Sequence, residues 1–75
     1  MTILKLEKTI GEIAEEMGFK VSITEKFKND GYLFCKFYYI KTGDIRCLSL
    51  AIEEPTERFK LDLRHYLDSF QKECL

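Results

Sequence analysis

The spacing of apolar residues changes twice along the chain. Ile3, Leu6, Ile10, Ile13 and Met17 recur every three or four positions, which gathers them on one face of a helix, with Glu7, Glu12, Glu15 and Glu16 off that stripe. Gly18 falls where a left-handed C-terminal cap belongs. Gly11, inside the helix, costs up to ~1 kcal/mol against alanine, and a close backbone approach is the expected reason for it. From Phe19 the period becomes two. Phe19, Val21, Ile23 and Phe27 alternate with Lys20, Ser22, Thr24 and Lys26, as in a half-buried strand. Lys28-Asn29-Asp30-Gly31-Tyr32 predicts a type I turn at Asn29 and Asp30 with Gly31 left-handed, closing a three-residue loop. A second strand follows over Tyr32–Lys41, a tight turn at Thr42-Gly43, and a third strand over Ile45–Ile52. Helical spacing then returns with Phe59, Leu63, Tyr66, Leu67, Phe70 and Cys74, after a start at Glu54-Pro55-Thr56-Glu57 where proline suits the first helical position.

The predicted fold is therefore α+β, in the order αβββα. Short loops force the three strands into an antiparallel meander, since parallel neighbours need long crossovers. A shared core requires both helices on one sheet face. The expected loops pair Lys28 with Tyr32, Ile23 with Phe37, Phe37 with Leu48 and Ile40 with Ile45. Phe19, Val21, Ile23, Phe27, Leu33, Cys35, Phe37, Tyr39, Leu48, Leu50 and Ile52 then face the helices. The opposite face carries Lys20, Lys26, Tyr32, Phe34, Lys36, Tyr38, Ile45 and Cys47. A two-residue first loop would bury Lys36 and turn Leu33, Cys35 and Phe37 outward, because a one-residue slip inverts a strand.

Seventy-five residues make a single domain with a small core, burying only about 60% of the unfolded surface. The three cysteines, Cys35, Cys47 and Cys74, are an odd set without a CxxC pair, and His65 is the only histidine. Neither a disulfide framework nor a zinc site is expected, and free thiols point to a reducing, cytoplasmic setting. No run approaches the ~20 apolar residues of a membrane span. The opening Met1–Glu7 is too soon acidic for a signal peptide. Net charge is −1, so no overall field draws in nucleic acid or an anionic membrane. Charge is nevertheless divided. Residues 19–52 carry three more basic than acidic side chains, whereas residues 1–18 and 53–75 each carry two more acidic ones. The predicted sheet is basic and the helices are acidic.

This division leaves two candidate partner surfaces. On the outer sheet face, Tyr32, Phe34 and Tyr38 supply apolar area while Lys20, Lys26 and Lys36 steer an acidic protein. The bland reading is that these aromatics are good strand formers lying under lysine stems. The same interleaving suits single-stranded nucleic acid, although no glycine-rich RNP sequence is present. The second surface is acidic: Glu12, Glu15 and Glu16, with Glu53, Glu54 and Glu57. A solvated helix face is its ordinary reading. No cofactor and no catalytic residues are expected: His65 adjoins Arg64 off the apolar stripe, and no nucleophile lies at a recognisable spacing from a base.

The αβββα order is similar to that of double-stranded RNA-binding domains. Where that family has a lysine-rich start to the second helix, this chain reads Glu53-Glu54-Pro55-Thr56-Glu57-Arg58, so the resemblance implies topology only. The amphipathic opening helix, the Asn29-Asp30-Gly31 turn, the meander and the closing helix also resemble small phage anti-defence proteins of the anti-CRISPR type. That resemblance implies a non-enzymatic, stoichiometric inhibitor of a bacterial defence or regulatory complex, often presenting acidic surfaces that mimic DNA. A protein partner is thus expected, with homodimerisation through the sheet face and nucleic-acid binding as alternatives.

Overall fold

The computed structural model describes residues 2–25 and 27–74 and has the order α1 (Thr2–Glu16), β1 (Phe19–Thr24), β2 (Tyr32–Tyr39), β3 (Ile45–Ala51) and α2 (Glu57–Cys74). The strands form one antiparallel sheet in the order β1-β2-β3, with β2 central. α1 lies over β1 and α2 over the rest of the same face. The core joins Leu6, Ile10, Ile13 and Ala14 of α1 to Phe19, Leu33, Cys35, Phe37 and Tyr39 of the sheet and Leu63, Leu67 and Phe70 of α2. Phe70 is the joint between layers: its ring lies 5.4 Å from that of Phe19 and 6.4 Å from that of Tyr39. Burial pushes the Cys35 thiol up to about 11, with the Glu7 charge adding to the shift.

Local chemistry sets the element ends. Gly18 adopts φ +86° after α1, where a side chain is disfavoured. Gln71 Nε2 donates to the Met17 carbonyl, so α2 holds the end of α1. Pro55 does not begin the second helix as expected. Thr56 is the cap: its hydroxyl accepts from the Phe59 N–H at 3.1 Å, and α2 starts at Glu57. A threonine oxygen satisfies an otherwise unpaired first-turn donor, which proline's ring cannot do. Gly11 is also not a point of close approach, since a Cβ there would meet nothing within 4 Å.

Both hairpins keep the expected parity but shift register by two residues. Ile23 pairs with Cys35 rather than Phe37, because the first connection contains a 3₁₀ turn at Lys28–Asp30 in place of a three-residue loop. Gly31 is left-handed, as expected, at φ +87°. Cys35 pairs with Leu48, and Phe37 with Arg46 rather than Leu48. The second turn spans Ile40–Gly43, where the Gly43 N–H donates to the Tyr39 carbonyl and the Tyr39 N–H to Asp44. β2 therefore ends at Tyr39, and Ile40 does not pair with Ile45. A shift of two preserves the face of every strand residue, because side chains alternate with period two. The one loss is Phe27, which lies beyond β1 and is exposed instead of facing the helices.

Candidate functional site on the outer sheet face

β2 positions the centre of the outer face, since its alternate residues Tyr32, Phe34, Lys36 and Tyr38 point away from the helices. Register builds rows across the sheet. Lys20, Tyr38 and Ile45 form one; Ser22, Lys36 and Cys47 the next; Thr24, Phe34 and Ser49 the third; and Tyr32 faces Ala51 in the last. Tyr32 and Ile45 are about half exposed, at 48% and 55%. Phe34 is half-buried because the Phe27 ring stands edge-on to it at 6.2 Å. Two shallow depressions flank this aromatic pair. One, of about 470 Å³, is lined by Phe27, Asp30, Tyr32, Phe34 and Ser49; the other, of about 480 Å³, by Ser22, Thr24, Phe27, Phe34 and Lys36. The molecule has only two layers, its Cα trace spanning 35 × 25 × 15 Å, so no part of the described chain covers this face.

Of the predicted outer-face residues, Lys20, Tyr32, Phe34, Lys36 and Tyr38 are brought together, and Lys26 lies outside the described residues. Phe27 is the member that periodicity missed: its spacing from Ile23 matched the core stripe, and the chain left the strand before reaching it. Arg46 lies on the opposite side. Its guanidinium sits 4.5 Å from the centre of the Phe70 ring and pairs with Glu73, which raises its pKa. The cationic component of the described outer strands is thus Lys20 and Lys36.

The acidic residues do not form one surface. Glu12, Glu15 and Glu16 occupy the last turns of α1, while Glu54 meets Lys5 near its start at 2.7 Å. A 15-residue helix separates these ends by about 20 Å. Glu16 pairs with Arg64 at 3.1 Å and Glu57 with Lys60 at 3.2 Å, which offsets part of the acidic charge; Glu53 is exposed between β3 and α2.

One polar cluster was not legible from spacing. The Thr42 hydroxyl donates to Asp44 at 2.6 Å, and the Cys74 thiol from the end of α2 also reaches that carboxylate. These bonds, Thr42's first, hold the Asp44 carboxyl below its usual range. The Cys74 thiol is shifted up, by burial first and then by Asp44, which is opposite to an activated nucleophile. His65 is exposed on α2, and among the described residues no group of three or more His, Cys, Asp or Glu is placed to hold a metal ion. No described helix is long and apolar enough to cross a membrane. Comparison of the chain with protein-family models, with curated proteins and with solved structures finds no match in any of the three.

Proposed function

We propose that this domain is a non-enzymatic protein-binding module that docks through its outer sheet face. The carrying observation is the outer face itself: Phe27, Phe34 and Tyr32 cluster at one end, Tyr38 lies beyond Lys36 with Lys20 beside it, and no third layer of the described chain lies over them. Aromatic side chains anchor protein interfaces because they desolvate much area for little lost conformational freedom. Lys36, between Phe34 and Tyr38, and Lys20, beside Tyr38, select a partner that presents acidic groups among apolar ones. Stoichiometric occupancy of such a partner is the way small phage or mobile-element inhibitors act on bacterial defence or regulatory complexes, and this is the biological class we assign.

The test is affinity capture from the native host's lysate with wild type and a Phe34→Ala/Tyr38→Ala double variant whose folding is confirmed by circular dichroism. A protein retained by wild type and lost by the double variant is the expected result. Equal recovery by both removes the outer face as the site. A single-stranded oligonucleotide titrated at low salt provides the contrasting outcome. Binding that weakens steeply with salt and disappears in Phe34→Ala would replace the protein partner by nucleic acid.

A further inference from the structure

We propose that β3 is a dimerisation edge, pairing antiparallel with β3 of a second copy about a twofold axis at Leu48 to give a six-stranded sheet. This rests on the edge of the sheet and is independent of the outer-face reading. In the order β1-β2-β3, β3 has no strand beyond it among the described residues. The Tyr39–Asp44 and Gly31–Ile52 hydrogen bonds fix which β3 residues bond to β2. Alternation from those two points directs the N–H and C=O groups of Ile45, Cys47, Ser49 and Ala51 outward.

That edge lacks the devices that keep sheet edges apart. The four outward residues carry no charge and no proline, and pairing with β2 runs through β3 without a bulge. Arg46, the one charged residue in the strand, is drawn back over Phe70 to Glu73. An apolar groove of about 120 Å³ separates β3 from α2, lined by Leu48, Leu50, Phe59, Asp62, Leu63 and Tyr66. Leu48 and Leu50 remain only half-buried there.

A second copy fits both features. An axis at Leu48, the midpoint of Ile45–Ala51, uses the whole strand. Ile45 meets Ala51 of the other copy, Cys47 meets Ser49, and each pair exchanges its outward N–H and C=O groups. Leu48 faces its own counterpart in a non-hydrogen-bonded pair, where side chains come closest, on the side of the groove. Arg46 falls opposite Leu50, so no like charges are directly opposed. The two outer faces then lie side by side, doubling the docking surface.

Sedimentation equilibrium across micromolar to millimolar concentration tests this. Wild type should approach twice the 8.9 kDa monomer mass. Ser49→Pro should weaken association at least about tenfold, because symmetry removes the donor from both copies. Its fold should persist, since the lost N–H faces away from β2. Ser49→Lys, which keeps the backbone donor and places a charge on the edge, should also dissociate the dimer and serves if the proline variant does not fold. Phe34→Ala/Tyr38→Ala should remain dimeric while losing its partner protein. A wild type that is monomeric throughout overturns the inference. So does a dimer that survives both Ser49 substitutions, or one abolished only by the outer-face double variant.

Discussion

Replacing Phe34 by alanine separates a binding aromatic from a structural one, because Phe37 provides an internal standard on the same strand. Phe37 is fully buried, and its truncation to alanine should cost about 3–5 kcal/mol through lost burial and the cavity left behind. Phe34 is half-buried and its described ring contact is with Phe27, itself 40% exposed. Half of the roughly 1.5–3 kcal/mol for a fully buried side chain, plus a partial aromatic-pair contribution of about 0.5 kcal/mol, gives about 1–2 kcal/mol. A domain of 75 residues has about 4–11 kcal/mol in total, so Phe34→Ala should remain folded while Phe37→Ala loses much of its stability. Urea titrations followed by far-UV circular dichroism measure both. With a slope of about 1 kcal/mol/M, Phe34→Ala should lower the midpoint by about 1–2 M without changing the slope. A loss for Phe34→Ala equal to that for Phe37→Ala would make the outer ring part of the folding core. Docking through the outer face would then lose its physical basis.

Two further measurements probe α1. Gly11→Ala should stabilise the domain by about 0.5–1 kcal/mol in the same titration, since the added methyl meets open space and the helix loses its most flexible residue; a destabilised variant would show that the position is crowded. The Glu7 carboxyl is raised above its ordinary 4.5 by burial first and by Glu25 second, with Lys28 partly opposing. A carboxyl held more tightly protonated in the folded state contributes stability that is present below about pH 4.5 and lost as pH rises through its folded value. Glu7→Gln should therefore be more stable than wild type at pH 7, with the advantage vanishing below pH 4.5; an advantage independent of pH would refute the assignment.

Much of the architecture was legible from spacing alone. The helical stripes, the period-two strands and the glycine-marked turns predict αβββα, and the structure has that order. Parity was legible too. Leu33, Cys35 and Phe37 all had to face one way, and burying Lys36 was the alternative. Register was not. The stretch from Glu25 to Gly31 has two uses for its turn residues, a short hairpin loop or a 3₁₀ turn, and both keep the same sides in the core. The choice between them moved Phe27 from the helix side to a place against Phe34.

What the sequence determined by itself is the set of residues that share a face, because that depends on period and on the cost of burying lysine. Only the tertiary structure decided which of them touch. It placed Arg46 over the Phe70 ring and against Glu73, and set Glu12, Glu15 and Glu16 about a helix length from Glu54. It also left the uncharged edge of β3 beside an open apolar groove. These follow from loop length and helix docking, which are set by contacts between residues far apart in the chain and leave no local periodicity to read.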